Sequence, residues 1–197
     1  MRWNICLLVD SNLKNVGIGM DKCGVPPYLR CSGDIFCVYK VEPNCSKWPS
    51  ISYIQQRRYT DIVIALGINH CCKSRDSQDK AISVLSELYA QYRHALPGIR
   101  LYFVHVPPSL NSTTSFNAKR FNDSMDTILD SLKVPVVKLP EKLFTENGTL
   151  NPEYARHSEL APSFPDHRRL HLNREAQSMV VCRIKRTLCV TANKRMR

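Results

Sequence analysis

The chain has 197 residues, of which 43% are hydrophobic, and it carries a formal net charge of +11. This length and apolar content suit one globular domain with a core, with or without tails. No apolar run approaches the ~20 residues that a transmembrane helix needs, so we expect no transmembrane segment in this sequence.

The first apolar run is followed too soon by charged residues to be a signal peptide, so we expect an intracellular protein in a reducing compartment. The nine cysteines include no C-x-x-C pair, and the adjacent Cys71 and Cys72 have a poor spacing for zinc. Free thiols are therefore expected. The sequence implies no metal or organic cofactor and leaves the oligomeric state open.

The basic excess favours anionic partners and is concentrated at the C-terminal end. Between residues 168 and 197 the only acidic residue is Glu175. The basic residues of this stretch are Arg168, Arg169, Arg174, Arg183, Lys185, Arg186, Lys194, Arg195 and Arg197. Two interpretations remain open: a surface that binds nucleic acid, or a solvated helix face with a frayed tail. We divide the chain into a domain at 1–190 and a basic C-terminal tail at 191–197.

The chain begins with an apolar run at residues 5–9 (I-C-L-L-V) that stops at Asp10-Ser11-Asn12. Such a run predicts a strand buried on both faces, as in a parallel sheet covered by helices. Polar residues after it lie at the carboxyl end of the strand, where open α/β sheets bind ligands. Ser11 is therefore a candidate nucleophile; the alternative is an ordinary turn with a helix cap.

Further strands are predicted from β-branched and aromatic runs at residues 35–41, 61–66, 99–106 and 134–139. Helical periodicity predicts helices at 46–58, 77–96, 117–132 and 173–188. A Gly- and Pro-rich loop is expected at 14–34, and a long irregular segment at 140–167.

Strands that alternate with helices predict an α/β protein, with three α/β/α layers around a five-stranded parallel sheet. The flavodoxin-like strand order is the natural doubly wound choice at this size. In that topology the polar clusters after successive strands share one rim of the sheet.

Three clusters fall on this rim: Asp10-Ser11-Asn12, Gly67-Ile68-Asn69, and Asp166 with His171. Attack of a serine on an ester needs a base to take the hydroxyl proton and donors aimed at the developing oxyanion. His171 can be the base. The Asn69 side chain and the backbone N–H of Ser11 can be donors, together with an N–H from the loop after the second strand.

These residues resemble the SGNH (GDSL-type) hydrolase family. Residues 9–13 (V-D-S-N-L) are similar to its block G-D-S-x-L, and residues 67–70 (G-I-N-H) to its block G-x-N-D. Residues 170–173 (L-H-L-N) resemble the end of its block D-x-x-H-L-N. The motifs D-S-N-L and G-I-N are most similar to those of the esterase-like domains of animal retroelement proteins. The resemblance implies a Ser nucleophile, a His base, and an oxyanion hole that includes the block-three Asn.

The sequence departs from the family pattern at several positions. Val9 replaces the Gly before Asp-Ser, and His70 replaces the Asp that ends block three. Asn44, after Pro43, is the most plausible replacement for the block-two Gly, and its backbone N–H would survive. Arg168 stands three residues before His171, where the family has Asp.

Asp166 could therefore orient His171 only if the intervening loop bulges. The alternatives for these residues are structural: Asn69 as a loop cap, His171 as a helix-start residue beside a probable N-cap at Asn173, and Asp166 as a surface residue.

The sequence thus predicts a serine esterase with Ser11 and His171 as its dyad, assisted by Asp166, acting on a small acyl or lipid-type ester. Ser11, Asn44 and Asn69 would form the oxyanion hole. The second interpretation is a catalytically impaired domain of the same fold that binds nucleic acid or an anionic surface in a mobile element.

Overall fold

The computed structural model describes residues 4–10, 13, 35–40, 49–165 and 169–194, with the backbone alone at 4, 35–40 and 192–194. The predicted loop at 14–34 lies outside the described residues. The same is true of Ser11, Asn44, Asp166 and Arg168.

A parallel sheet forms the centre of the molecule. Its strands are β1 (Asn4–Val9), β2 (Ile35–Lys40), β3 (Asp61–Ala65), β4 (Arg100–Val104) and β5 (Val136–Val137). They lie in the order β2-β1-β3-β4-β5, and all neighbouring pairs are parallel. This is the flavodoxin-like order expected from the sequence.

β1 is buried on both faces, as its unbroken apolar run predicts. Cys6 and Leu8 point into the core on one side of the sheet, whereas Ile5, Leu7 and Val9 point into the core on the other. Successive side chains of a strand alternate between faces, so five apolar residues in a row supply both cores. This composition suits a strand inside the sheet, and β1 lies between β2 and β3.

Helices cover the two faces of the sheet and complete three layers. They are α1 (Ile51–Gln56), α2 (Ile68–Cys71), α3 (Arg75–Ala95), α4 (Ser112–Ser131) and α5 (Arg174–Lys194). α1, α3 and α4 contribute apolar side chains to one core, and α5 contributes to the other. None of the described helices is long and apolar enough to cross a bilayer.

Several boundaries differ from those predicted. Four strands of five or six residues form the body of the sheet, and β5 is reduced to two residues of the predicted 134–139. α4 begins at Ser112 rather than at 117, because the Asn111 side chain accepts a hydrogen bond from the Thr114 N–H and caps the helix. α5 continues to Lys194, beyond the predicted end at 188.

The predicted irregular segment at 140–167 is built, over its described residues 140–165, from short helices and turns. It contains 3₁₀-helices at Glu141–Leu143, Pro152–Tyr154 and His157–Glu159. Leu143, Leu150 and Tyr154 are buried in the core on the α5 side. The segment is therefore an integral part of the fold.

A buried ion pair lies at the amino edge of the sheet. The guanidinium of Arg100 donates two hydrogen bonds to the Asp61 carboxylate, at 2.7 Å for each N···O distance. The Asp61 side chain is fully buried, and the Thr60 hydroxyl also donates to it at 2.7 Å. These hydrogen bonds raise the pKa of Arg100 above its ordinary value and join the first residues of β3 and β4.

Candidate active site

His171 is held by a buried carboxylate at the carboxyl edge of the sheet. Its Nδ1 atom lies 2.5 Å from Glu159 Oε1, and its backbone N–H donates to Glu159 Oε2 at 2.9 Å. Glu159 is only 1% exposed. An ionised carboxylate only accepts hydrogen bonds, so this partner places the ring proton on Nδ1 and leaves the Nε2 lone pair available for a proton.

The segment that carries Glu159 is joined to the segment that carries His171. Ala155 and Leu172 form an antiparallel bridge, and the Arg156 N–H donates to the His171 carbonyl at 2.9 Å. Glu159 ends the 3₁₀-helix that follows this bridge. Backbone hydrogen bonds between the Glu159 segment and the His171 segment therefore fix the position of the Glu159 carboxylate.

Asn173 anchors the start of α5 directly after His171. Its Oδ1 atom accepts from the Ala176 N–H at 2.9 Å, the N-cap arrangement that the sequence predicts. Its Nδ2 atom donates to the Glu153 carbonyl at 2.7 Å. His171 thus precedes the helix in an extended segment and is not itself a capping residue.

Asn69 lies in the first turn of α2, after the tight turn at Gly67 that ends β3. Gly67 has φ of +132°, and a Cβ atom there would lie 2.7 Å from Val106 Cγ2 and 2.9 Å from Phe121 Cε1. Only glycine fits this close approach. The Asn69 side chain is half-buried and makes no hydrogen bond within the described part of the chain.

The residues after Asn69 support the turn structurally. His70 is buried, and its Nδ1 atom lies 3.2 Å from the Ser77 hydroxyl. Burial, followed by the charges of Cys72 and Asp10, raises the pKa of the Cys71 thiol far above its ordinary value. Burial also raises the pKa of Cys72. Both thiols stay protonated near neutral pH and are poor nucleophiles.

One small apolar pocket is lined by residues next in the chain to the three predicted clusters. Asp10 and Leu13, which flank Ser11 and Asn12 in the chain, line this pocket together with Leu66, the residue before Gly67, and Leu172, the residue after His171. We call it the rim pocket. Its cavity volume of about 20 Å³ has room for roughly one water-sized group. The described neighbours of all three clusters therefore lie around a common point.

The predicted site residues have different outcomes. His171 and Asn69 lie at the predicted edge of the sheet, whereas Ser11, Asn44 and Asp166 lie outside the described residues, so their roles stay predictions. Glu159 was missed by sequence reasoning. Its hydrogen bond to His171 spans twelve residues of irregular chain, where no motif spacing and no periodicity point to a contact.

The described side chains support acid–base chemistry. Among the residues that the structure describes, no group of three or more His, Cys, Asp and Glu side chains is arranged to hold a metal ion. A histidine that is oriented through Nδ1 by a buried carboxylate can accept a proton at Nε2 from a nucleophile and return it to a leaving group.

Comparisons with known proteins agree with this reading of the fold. A GDSL-like lipase from Bacteroides thetaiotaomicron is similar, with a TM-score of 0.62, 12% identity, and coverage of 97% of this chain and 88% of the lipase. The psychrotrophic esterase EstA from Pseudoalteromonas is similar with a TM-score of 0.61 and 13% identity, and the match covers 95% of this chain and 98% of EstA. Est24, a carbohydrate acetylesterase from Sinorhizobium meliloti, is similar with a TM-score of 0.63 and 11% identity, and the match covers 96% of this chain and 100% of Est24.

No family model matches the sequence, and no curated protein matches it. At these identities the similarity establishes a shared fold with GDSL-like lipases and esterases over nearly the whole chain.

Proposed function

We propose that this protein is a serine ester hydrolase of the SGNH type that acts on a small acyl or lipid-type ester. Ser11 is the nucleophile, His171 is the general base, and Glu159 takes the orienting role that the sequence analysis expected of Asp166. The observation that carries the proposal is the pairing of buried Glu159 with Nδ1 of His171, which leaves Nε2 available for proton transfer.

In the first half-reaction, Ser11 Oγ attacks the ester carbonyl carbon and transfers its proton to His171 Nε2. The carbonyl oxygen becomes an oxyanion, which accepts hydrogen bonds from the Ser11 N–H, the Asn44 N–H and the Asn69 side-chain amide. His171 then gives its proton to the leaving alcohol. In the second half-reaction a water molecule replaces the alcohol, and its attack releases the acid and restores Ser11.

Two further observations support this assignment. The named proteins of similar fold are a lipase, an esterase and an acetylesterase, which all cleave esters. The substitution of Arg168 for the family's Asp also does not remove the orienting group, because Glu159 supplies a carboxylate at His171 from another part of the chain. We also propose that the chain is related to the esterase-like domains of animal retroelement proteins.

The test is hydrolysis of short p-nitrophenyl esters by the purified chain and its variants. Ser11→Ala should abolish turnover while the circular dichroism spectrum and melting temperature stay unchanged. Asn69→Ala should lower kcat by about 10²- to 10³-fold, because one oxyanion donor is lost. Ser83→Ala, which removes an exposed hydroxyl on α3, is the matched control and should retain full activity. Equal rates for the wild type and Ser11→Ala would refute the proposed function.

A second candidate function is binding of nucleic acid by the basic C-terminal region of a mobile-element protein, supported by the net charge of +11. The described part of α5 offers Arg174 and Arg186 as exposed cations, whereas Lys185 is buried. Binding to duplex DNA that weakens steeply with salt, and that is reduced in an Arg186→Ala variant, would favour this function. Absence of binding at low salt would leave the charge as a solubility feature.

A further inference from the structure

A larger cavity of about 300 Å³ lies between α4 and the turn at residues 144–148. We call it the α4 cleft. Its apolar wall consists of Val106, Pro108, Ala118 and Phe144. The Phe144 side chain remains 39% exposed, so the cleft opens to solvent beside an aromatic ring. An apolar cavity of this kind is typical of ligand sites.

The α4 cleft and the rim pocket meet at a shared wall. His105 and Val106, which directly follow β4, line both cavities. Leu13 and Leu172, which are next to the proposed catalytic segments in the chain, also line the rim pocket. A substrate whose reacting carbonyl lies at these segments is therefore close to the cleft.

The polar side chains of the cleft are already engaged within the protein. Both ends of the Asn122 amide bond to the Val106 backbone, at 2.8 and 3.0 Å. The Ser115 hydroxyl donates to the Ser109 carbonyl at 2.7 Å, and His105 Nε2 lies 2.8 Å from Asp126 Oδ1.

The charged pair at the mouth of the cleft is also engaged. Lys119 Nζ lies 2.7 Å from Asp123 Oδ2. A ligand rich in hydroxyl groups would compete with these bonds, and a polar group left unpaired on burial is costly. An apolar chain can occupy the cleft without disturbing any of them.

Backbone hydrogen bonds hold the walls of the cleft in place. Phe144 and Leu150 form an antiparallel bridge, and the Leu150 N–H donates to the Ser109 carbonyl at 2.8 Å. The Ser109 hydroxyl donates to the Arg169 carbonyl at 2.7 Å, two residues before His171. The cleft is therefore preformed, which lowers the entropic cost of ordering a bound chain.

We propose that the α4 cleft binds an alkyl chain of the ester substrate. This inference rests on the proposed function and deepens it, because it names the substrate class: esters with an alkyl chain longer than that of an acetyl group. Burial of each additional methylene should raise kcat/KM by about fourfold until the cleft is filled.

The first experiment compares kcat/KM for p-nitrophenyl acetate, butanoate, hexanoate and octanoate. The wild type should prefer the longer esters. Phe144→Ala removes apolar area from the cleft and should lower the octanoate-to-acetate ratio by about tenfold. Phe116→Ala is the matched control: its ring is 67% exposed on α4 and does not line the cleft, so the ratio should not change. A wild-type rate that falls steadily with chain length, both in this acyl series and from ethyl acetate to octyl acetate, overturns the inference.

A second measurement distinguishes the two sides of the ester. If the cleft takes the acyl chain, p-nitrophenyl octanoate will be sensitive to Phe144→Ala and octyl acetate will not. If it takes the alcohol chain, octyl acetate will be the sensitive substrate. Sensitivity of either one supports an alkyl-chain site, and insensitivity of both overturns it.

Binding of octan-1-ol, followed by the NMR shift of the Gly148 amide at the edge of the cleft, separates this inference from the proposed function. Turnover of esters with no octanol shift and a flat chain-length ratio overturns the cleft assignment and leaves the hydrolase standing. If no ester is cleaved, the proposed function fails. The octanol titration, carried out on wild type and Phe144→Ala, then still decides whether the cleft accepts an alkyl chain.

Discussion

Each edge of the sheet holds a buried carboxylate, and the two carboxylates have different partners. At the amino edge, Asp61 binds two nitrogens of Arg100 and the hydroxyl of Thr60. At the carboxyl edge, Glu159 binds the backbone N–H and Nδ1 of His171. Burial and hydrogen bonding of the carboxylate are similar at both edges. The difference lies in what the partner retains for further chemistry.

Arg100 cannot lose its proton in the physiological range, and two of its nitrogens are already engaged by Asp61. His171 is engaged through one ring nitrogen, and within the described residues its Nε2 atom has no partner. The first pair is suited to joining strands and the second to proton transfer. A buried carboxylate is therefore a stronger indication of function when its partner keeps a titratable atom for proton transfer.

Of the changes at the two edges, Glu159→Gln should have the largest effect. The amide keeps the shape of the side chain but no longer favours the Nδ1–H tautomer, so kcat should fall by about 10³- to 10⁴-fold with KM little changed. The measurement is steady-state hydrolysis of a p-nitrophenyl ester. Glu153→Gln, at an exposed carboxylate on the neighbouring 3₁₀-helix, is the control and should retain wild-type kcat. A similar loss in both variants would contradict the orienting role.

At the opposite edge, Arg100→Leu should act on stability. It leaves the fully buried Asp61 carboxylate without its cation, which should lower the free energy of unfolding by about 3–5 kcal/mol. Urea denaturation measures this as a lower midpoint at unchanged slope. The double variant Asp61→Leu/Arg100→Leu should recover much of the loss, because no unpaired charge remains. Surface variant Arg75→Ala should change stability by less than about 0.5 kcal/mol.

The smallest effect is expected for Arg168→Asp. This change restores the residue type that the SGNH pattern has three positions before the histidine. Because Glu159 already engages Nδ1 of His171, the added carboxylate should change kcat by less than about threefold. In a Glu159→Gln background the same change should restore part of the lost rate. A large gain in the otherwise unchanged protein would mean that Glu159 does not orient the base.

Much of the fold could be predicted because its signals are local. The run at residues 5–9 predicts a strand buried on both faces, and the Asn173 side chain predicts the start of α5. The beginning of α4 was predicted five residues late, because its first turns are rich in Ser, Thr and Asn, which also favour loops. β5 was predicted too long, because its apolar residues are buried beyond the two that pair with β4.

The candidate site was predictable only in part. Asn69 and His171 follow elements whose ends can be located from periodicity, so their place at the carboxyl edge follows from topology. Glu159 belongs to a segment without periodicity, and its contact depends on how that segment returns to the start of α5. The bridge between Ala155 and Leu172 and the hydrogen bond from the Arg156 N–H to the His171 carbonyl determine this return. Neither contact leaves a pattern in the sequence.

The antiparallel bridge between Ala155 and Leu172 has a consequence for engineering. It clamps the two ends of the intervening stretch, while Ala161, Pro162 and Ser163 at its tip are exposed. Doubling the length of a flexible loop costs only about 0.6 kcal/mol. A peptide tag or a small sensor module placed between Pro162 and Ser163 would therefore lie outside the Ala155–Leu172 bridge. The insertion would separate Glu159 and His171 further in the sequence, and their contact would be preserved.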